Sequence, residues 1–513
     1  MNVVRVAVCL SIGGLLALTP VLSGQAVRTP SPSPQSTESA TSAQAPGSGR
    51  HRPGGRSGGA IYRELCANCH GPQLAGGLAS SLLDATWTFG GDDASLAESI
   101  RAGRAGTSMP PFGAVLTEPE IRALIIYIRE AGARARRMPS ADAPPPIANR
   151  VIASEEHTFR IEVVADGLDT PWGLAWLPDG RLLVTERPGR LRIIEKDRLL
   201  PTPVEGVPPV WVKQDGGLLD VAVHPRFASD PWIYLAFSDA GSTPGASATK
   251  IVRARLRDGR LTDVEPLFQP RSEHYWIDNR HFGARFLFDP QGHLFYSIGD
   301  RGHERDAQDL ASPYGKLHRV SDAGQAPADN PFVARAGALP TIWSYGHRNQ
   351  QGLAIHPVTG GLWAAEHGPR GGDELNRIER GRNYGWPLVT HGMNDDGTPM
   401  TEHTAQDGLE PPIVHWTPSI AVCALEFYTG DRFPRWKHDL FVTALAQQEL
   451  RRLRLDGRVV AHQEVLLTSI GRVRDVATGP DGYVYVALNE PGRVIRLVPA
   501  AAAAPKTPQG QER

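Results

Sequence analysis

The chain has 513 residues, 41% of them hydrophobic, which is more than one hydrophobic core accommodates and predicts at least two domains. The 54 Lys and Arg residues nearly cancel the 55 Asp and Glu residues, which excludes binding to nucleic acid or anionic membranes through net charge. Glycine (54 residues) and proline (44 residues) are abundant, which favours many turns and short strands.

The start of the chain has the pattern of an export signal. One positive charge at Arg5 precedes an apolar run from Val6 to Leu18, and small residues follow up to Ala26. The run is short for a membrane span. We expect a signal peptide over residues 1–26 and a periplasmic or secreted protein with no membrane span after its removal. An uncleaved anchor is the alternative.

Composition divides the rest of the chain into five predicted segments. They are a Pro/Ser/Gly-rich linker expected to be disordered (27–58), a compact helical domain (59–132), a proline-rich linker (133–155), a large β domain (156–499) and a tail expected to be disordered (500–513).

The compact segment is predicted to be helical. "DDASLAESIRAG" begins with acidic residues and ends with glycine, as a short amphipathic helix does. In "LTEPEIRALIIYIREAG", Thr117 and Glu120 form a capping box and Pro119 lies in the first turn. One apolar face is formed by Ile121, Leu124, Ile125 and Ile128.

Two of the four cysteines lie three positions apart in "RELCANCHGPQLAGG". The order Cys66, Cys69, His70 is the attachment signature of c-type haem, in which the thiols bind the vinyl groups and the histidine binds the iron. A redox CxxC or half of a zinc site is the alternative. Met109, in "GTSMPPF", is expected to be the second axial iron ligand, against the alternative of a packing methionine. The segment resembles class I cytochrome c domains.

The large segment repeats a phrase of a turn, a strand and a polar loop six times, at intervals of roughly 45 to 80 residues. The copies are "LPDGRLLVTERPGRL", "HPRFASDPWIYLAFSD", "DPQGHLFYSIGDRG", "HPVTGGLWAAEHGP", "FPRWKHDLFVTAL" and "GPDGYVYVALNEPGRVIRL". Short strands with Asp-Gly turns predict an all-β six-bladed β-propeller; a two-sheet sandwich is the alternative. The fold class is therefore multidomain, with a small all-α cytochrome c domain followed by this propeller.

Several ordered phrases of the propeller segment resemble the soluble aldose/glucose dehydrogenases that use pyrroloquinoline quinone (PQQ), a family that includes sorbosone dehydrogenases. The longest matches are "NRHFGARFLFDPQGHLFYSIGDRG", "IWSYGHRNQQGLAIHP", "EHGPRGGDELN", "GRNYGWP" and "RVRDVATGPDGYVYV". The resemblance implies that His281 is the general base, which removes a sugar hydroxyl proton while hydride passes to PQQ, and that Asp300 orients its imidazole.

The resemblance also implies a PQQ site and two calcium sites. PQQ is a planar tricarboxylate, which suits the forked donors of three arginines. The implied PQQ contacts are Asp215, Arg348, Asn349, Arg472 and Arg474; the alternation of the last two places them on one strand face. Main-chain oxygens of Gly368 and Pro369 are implied to hold Ca²⁺ at the quinone, and Glu374 and the carbonyl of Tyr384 a second, structural Ca²⁺.

The chain departs from the family pattern at a few positions. Asp215 replaces a glutamine, Ala446 replaces a lysine that contacts the cofactor, Asn489 replaces an aspartate, and Val422-Cys423 replaces Pro-Ser. Loss of a cation beside an anionic quinone is expected to weaken cofactor binding.

These observations predict an exported enzyme that oxidises an aldose to its lactone with PQQ and Ca²⁺ and passes the electrons to one covalent haem c. A downstream cytochrome or oxidase would accept them. Two alternatives stay open: a calcium-dependent propeller lactonase or other hydrolase, and a non-catalytic propeller binding module that carries an electron-transfer cytochrome.

Overall fold

A computed structural model describes residues 55–84, 86–137 and 147–500. The predicted signal peptide (1–26), residues 27–54 of the first linker and residues 501–513 of the tail lie outside the described residues. The predicted segment boundaries stay predictions.

The N-terminal domain is helical, as predicted. Its elements are α1 (Gly58–Ile61), a wide π-type turn (Tyr62–Cys66), α2 (Ala67–His70), α3 (Asp93–Ala102) and α4 (Glu118–Arg137). The predicted apolar face of α4 packs against α1 and α3 in a buried core that includes Ile61, Tyr62, Leu96, Ile100, Ile121, Leu124, Ile125 and Ile128.

Local hydrogen bonds start the two longer helices. The Asp92 side chain accepts a bond from Ser95 N at 2.8 Å and caps α3. At α4, Glu120 N donates to Thr117 Oγ1 at 3.4 Å and Thr117 N donates to the Glu120 carboxylate at 3.1 Å. This reciprocal pair confirms the predicted capping box.

Within residues 147–500 the chain forms 25 strands in six antiparallel sheets. The first two strands are β1 (Val151–Ala153) and β2 (Thr158–Asp166). Blade 1 contains β3 (Pro171–Trp176), β4 (Leu182–Glu186), β5 (Arg190–Glu195) and β6 (Arg198–Leu199). Blade 2 contains β7 (Leu218–Val223), β8 (Trp232–Ala240), β9 (Ser247–Arg257) and β10 (Arg260–Phe268). Blade 3 contains β11 (Phe286–Phe288), β12 (Leu294–Ile298), β13 (Lys316–Val320) and β14 (Ile342–Tyr345).

The second half of the ring follows the same order. Blade 4 contains β15 (Gln350–Ile355), β16 (Leu362–Glu366), β17 (Asp373–Ile378) and β18 (Val414–Trp416). Blade 5 contains β19 (Val422–Phe427), β20 (Leu440–Ala444), β21 (Glu449–Asp456) and β22 (Val459–Leu467). Blade 6 contains β23 (Val473–Thr478), β24 (Val484–Leu488) and β25 (Arg493–Pro499), followed in space by β2 and β1. Short 3₁₀ helices lie in the loops at Ser272–His274, Glu304–Ala307 and Pro434–Trp436.

The ring closes by pairing its two chain ends. Strand β2 pairs antiparallel with β25, with Phe159 opposite Pro499 and Asp166 opposite Arg493. Because the first strands complete the last sheet, the ends of the domain hold each other, as closed β architectures require. Each of the six repeated phrases lies at the hairpin between the first and second strands of one blade. The predicted six-bladed propeller is confirmed, and the two-sheet alternative is wrong.

A buried ion cluster at the centre of the ring ties the blades together. Arg285 Nη1 donates to Asp220 Oδ1 at 3.2 Å and Asp475 Oδ1 at 3.0 Å, and Arg285 Nε donates to the Gln351 carbonyl at 2.8 Å. The second oxygen of Asp475 accepts a bond from Leu174 N at 2.8 Å. Burial raises the pKa of both carboxyls, and Arg285 opposes the rise. These contacts join blades 1, 2, 3, 4 and 6.

Replacing Arg285 with methionine is expected to lower the free energy of unfolding by about 3–5 kcal/mol, because two carboxyls stay buried without their counter-charge. Urea unfolding measures the change. Arg181→Met, which removes the exposed pair with Asp179, is the control and is expected to cost about 0–1 kcal/mol. An Arg285→Met protein as stable as this control would contradict the role of the cluster.

Candidate active site

The loop before β11 brings His281 to the centre of the propeller through unusual backbone geometry. His281 has φ +52°, Gly283 has φ +66° and Ala284 has φ +74°, all in the left-handed region. A Cβ on Gly299 would lie 2.2 Å from the His281 carbonyl oxygen, so the two segments approach this closely because residue 299 is glycine. Left-handed backbone at residues other than glycine costs about 1–3 kcal/mol and concentrates at functional sites.

The predicted pair of His281 and Asp300 is brought together. His281 Nδ1 lies 2.7 Å from Asp300 Oδ1, and Trp386 Nε1 donates to Asp300 Oδ2 at 2.7 Å. Burial opposes ionisation of Asp300, but contacts with His281 and Arg348 outweigh it and hold the pKa of this carboxyl below its usual value. Because the carboxylate only accepts, Nδ1 carries the proton and Nε2 keeps a free lone pair. The Asp215 carboxylate lies beside them and accepts from His281 N at 3.3 Å.

Two of the three predicted arginines are held in place by hydrogen bonds to neighbouring residues. Arg348 N donates to Glu366 Oε1, and Arg348 Nη1 donates to the carbonyls of Gly368 at 2.7 Å and His367 at 3.1 Å. Arg474 Nη1 donates to Gln351 Oε1 at 2.6 Å. Arg472 immediately precedes β23, two positions before Arg474. These bonds hold Arg348 and Arg474 at the centre of the propeller.

His367 is a buried imidazole that lies close to the positive charges of the site. Burial lowers the pKa of this imidazole well below its usual value, and the positive charges of Arg474, Arg348, His281 and Arg472 lower it further. The three predicted arginines therefore lie near one buried point. The carboxylates of Asp215 and Asp300 are close to them.

Two polar atoms of this site have no partner in the described part of the chain. Arg474 Nε and Asn489 Oδ1 are buried without a hydrogen bond, in side chains that are 8% and 7% exposed. Such atoms fit a site that a polar ligand completes. Asn349 Oδ1 accepts from Gly283 N at 3.0 Å and supports the His281 loop, and its contact with PQQ stays a prediction.

The carbonyls predicted to hold calcium lie at the same site. Gly368 O accepts the Arg348 bond, and Pro369 O accepts bonds from Gly372 N at 2.9 Å and Ser419 Oγ at 3.2 Å. Among the residues that the structure describes, no group of three His, Cys, Asp or Glu side chains is arranged to hold a metal ion. A calcium ion here would depend on main-chain oxygens, which calcium accepts readily.

The residues predicted for a second calcium are linked through Glu366. Glu374 lies opposite Glu366 across β16 and β17, and burial together with this neighbour raises the pKa of Glu374 to about 8. The Tyr384 ring stacks on His347 at 4.7 Å, and His347 Nδ1 lies 2.9 Å from Glu366 Oε2. Asn376 Oδ1 is a buried acceptor without a partner among the described residues. Paired carboxyls beside an unpaired oxygen suit a hard cation.

The candidate haem ligands lie in the helical domain. His70 Nδ1 lies 2.9 Å from the Ser80 carbonyl, so Nδ1 donates and Nε2 is left to bind a metal. Cys66 ends the wide turn, Cys69 lies in α2, and both are free thiols. Met109 is half-buried against the same helical core, in the loop between α3 and α4.

Three residues of the site had no predicted role. Glu366 binds the backbone of Arg348, His367 lies among the cationic groups, and Trp386 binds Asp300. All three lie in phrases that carry the family resemblance, "EHGPRGGDELN" and "GRNYGWP". The matching phrases contain these residues, but only the folded chain shows which atoms they contact.

Residues 168–496, which include most of the propeller, match the family model described as Glucose / Sorbosone dehydrogenase. The chain belongs to the glucose/sorbosone dehydrogenase family. The dehydrogenase propeller is 42% identical over 349 residues to Aldose sugar dehydrogenase YliI of Escherichia coli, covering 67% of this chain and 93% of that protein.

Solved structures agree with this assignment. A glucose dehydrogenase crystal structure is 42% identical, covers 67% of this chain and 99% of its own, and gives a TM-score of 0.63. The PQQ-bound aldose sugar dehydrogenase of Streptomyces coelicolor is 28% identical, covers 69% of this chain and 99% of its own, and gives a TM-score of 0.55.

Residues 53–128 match a second family model, Cytochrome C oxidase, cbb3-type, subunit III. The helical domain is a cytochrome c domain, as predicted. Of the helices within residues 55–137 and 147–500, none combines the length and the hydropathy that a membrane span requires.

Gly299→Ala is expected to displace the His281 loop and to destabilise the protein by about 1–3 kcal/mol, because the new Cβ collides with the His281 carbonyl. Urea unfolding measures the cost, and a crystal structure of the variant locates His281. Gly292→Ala is the control: no atom lies near its Cβ, so its φ of +87° adds a local backbone cost only and His281 should stay in place. A Gly299→Ala structure that keeps the 2.7 Å contact with Asp300 would contradict the prediction.

Proposed function

We propose that this protein is a PQQ- and Ca²⁺-dependent aldose dehydrogenase that passes its electrons to a haem c on its own cytochrome domain. One observation carries the proposal. The imidazole of His281 lines one cleft with Asp300 and Arg348, and the charges of Arg348, Arg472 and Arg474 all act on the neighbouring buried His367. A base next to an anion site fits an oxidation that uses an anionic quinone.

The residues of the site fit the proposed cofactor. Arg348, Arg472 and Arg474 would hold the carboxylates of PQQ, and Arg474 Nε and Asn489 Oδ1 offer unpaired polar atoms. When bound, PQQ supplies a quinone that accepts the two electrons of a CH–OH group. Ala446 removes one cation, but the three arginines remain.

Calcium would be held by the carbonyls of Gly368 and Pro369, next to Arg348. When bound, it supplies a positive charge that draws electron density from an oxygen ligand. Arg348 Nη1 now binds the Gly368 carbonyl, so its guanidinium would share that oxygen with the ion or turn toward a carboxylate. The Glu374 site, where a carboxyl pair is buried, would hold a second ion with a structural role.

His281 performs the proton transfer in this proposal. Asp300 keeps the proton on Nδ1, so Nε2 accepts the hydroxyl proton of the sugar, and the anionic carboxylate stabilises the imidazolium that forms. Trp386 and Gly302 each donate to Asp300 and fix its orientation. Loss of the hydroxyl proton, together with loss of the C1 hydrogen and two electrons as hydride, converts a cyclic aldose to its lactone.

The cytochrome domain is the proposed electron acceptor. Cys66 and Cys69 would attach one haem, with His70 and Met109 as its axial ligands. When bound, this haem carries single electrons to a further cytochrome or oxidase. A periplasmic or secreted location fits, because c-type haem and the predicted leader both belong to exported proteins.

His281→Ala is expected to lower sugar-driven haem reduction by about 10²–10⁴-fold, the usual contribution of a general base. The assay adds PQQ, Ca²⁺ and an aldose to the full chain and follows haem absorbance. His462→Ala, at an exposed histidine paired with Glu155, is the control and should keep full activity. Met109→Ala should spare sugar oxidation by an artificial acceptor and slow or abolish reduction of the haem.

Unchanged haem reduction in His281→Ala would contradict the assignment of the base. Hydrolysis of a lactone without haem reduction would favour the calcium-dependent hydrolase. If the protein shows neither haem reduction nor lactone hydrolysis, the non-catalytic binding module is favoured.

PQQ with Ca²⁺ is expected to raise the unfolding temperature of the full chain, since a ligand at 100 times its Kd stabilises the folded state by about 2.7 kcal/mol. Arg474→Ala should lose most of this shift, and a calcium chelator should reverse it. Arg493→Ala, which breaks a surface pair with Asp166 away from the centre of the propeller, is the control. If PQQ and Ca²⁺ raise the unfolding temperature of Arg474→Ala as much as that of the parent, Arg474 does not contribute to the binding site.

A further inference from the structure

Helix α4 of the cytochrome domain has a second face, which packs on the propeller. Ala123 and Ile126 of this face form a buried cluster with Met393 of the propeller, and each of the three is 1% exposed. The face continues through Glu130 and Ala133, at the three- and four-residue spacing of one helix side. It is distinct from the face that fills the core of the cytochrome domain.

A forked ion pair lies at the middle of this contact. Arg370 Nε lies 3.1 Å from Glu130 Oε1, and Arg370 Nη2 lies 2.5 Å from Glu130 Oε2. The side chains are 34% and 16% exposed, so the pair is partly withdrawn from water. A two-bond arginine–carboxylate contact fixes the orientation of both groups as well as their distance.

Further bonds cross between the domains on either side of this pair. Arg122 donates to the Thr401 carbonyl, and Gly58 N donates to the Gly397 carbonyl at 3.0 Å. At the other end of α4, Arg137 donates to the Ala446 carbonyl. The contact therefore extends along the whole helix.

The propeller segments held by α4 also line the active-site cleft. Pro369, Met393 and Met400 face the same cleft as His281 and Asp300. Arg370 directly follows Pro369, and its carbonyl accepts a bond from Met393 N at 2.9 Å. One side of these segments contacts the cytochrome helix, and the other side faces the reacting groups.

The fit between the two domains is close at Gly371. A Cβ at this position would lie 2.7 Å from Ile126 Cγ2, and its φ of +78° favours glycine. The Gly371 carbonyl and amide are held by Thr417 Oγ1 at 3.0 Å and Ser419 Oγ at 2.9 Å. The loop therefore has little freedom to move away from the helix.

We propose that helix α4 braces one wall of the active-site cleft, with Glu130 and Arg370 as positioning residues that hold segments 368–371 and 393–401 in place. The cytochrome domain is then a structural part of the substrate site in addition to an electron acceptor. The claim that the cleft binds a sugar rests on the proposed function. The claim that α4 braces the cleft wall does not rest on it.

The test uses the full chain and two charge reversals, Glu130→Arg and Arg370→Glu, alone and combined. Hydrogen exchange is measured by mass spectrometry without sugar or cofactor. Each single variant is expected to raise amide exchange in residues 391–403 about fivefold or more, because local opening becomes easier. The double variant restores the pair with its charges exchanged and should return exchange toward the parent rate.

Glu98→Arg is the matched control. Glu98 pairs with Arg101 inside the cytochrome domain, and its side chain is 55% exposed. This reversal should leave exchange in 391–403 unchanged. Equal exchange in the parent and both single variants would overturn the proposal, whether or not the protein oxidises sugars.

A kinetic measurement separates positioning from general stability. With PQQ, Ca²⁺ and a small artificial acceptor, the single variants should raise the KM for the sugar about fivefold or more with a smaller change in kcat, and the double variant should recover. A KM that stays at the parent value while exchange rises would overturn the claim that α4 shapes the cleft. Inactivity of the parent protein would count against the proposed function, and the exchange result would still decide the brace.

Discussion

The buried guanidinium of Arg285 is the contact on which the centre of the propeller depends. It bonds Asp220 and Asp475 from different blades and stacks on Trp172, with its central carbon 4.4 Å from the ring centroid. Removing one member of this buried group would leave the others uncompensated, so the cluster favours inner strands that keep all three side chains together. The guanidinium of Arg474 lies 5.3 Å from the same ring, which connects this framework directly to the site.

A fixed framework holds three cationic side chains close together. Arg348 and Arg472 lie just before the inner strands β15 and β23, and Arg474 lies in β23, so the ring holds all three in place. Burial holds the pKa of His367 well below its usual value and their positive charges lower it further, and the same charges would attract a ligand with several carboxylates. In the proposed reaction, Asp300 would hold the proton on His281 Nδ1 and leave Nε2 to act as the base.

The cytochrome domain and the propeller are joined by more than a linker. Helix α4 uses one face for its own core and another for the rim of the cleft, so both domains share one rigid element. In the proposed electron transfer, this contact would spare the acceptor the search that a tethered acceptor makes on each turnover. It also means that the shape of the cleft depends on residues about 240 positions away in the sequence.

The sequence alone determined the features that short segments encode. The CxxCH signature, the caps of α3 and α4 and the six turn phrases depend on neighbouring residues, and the structure agrees with the helices and the blade count. Tertiary structure alone decided which side chains meet. Asn349 contacts Gly283, Glu366 holds Arg348, and Glu130 pairs with Arg370, because ring closure and domain packing bring together residues that no local pattern relates.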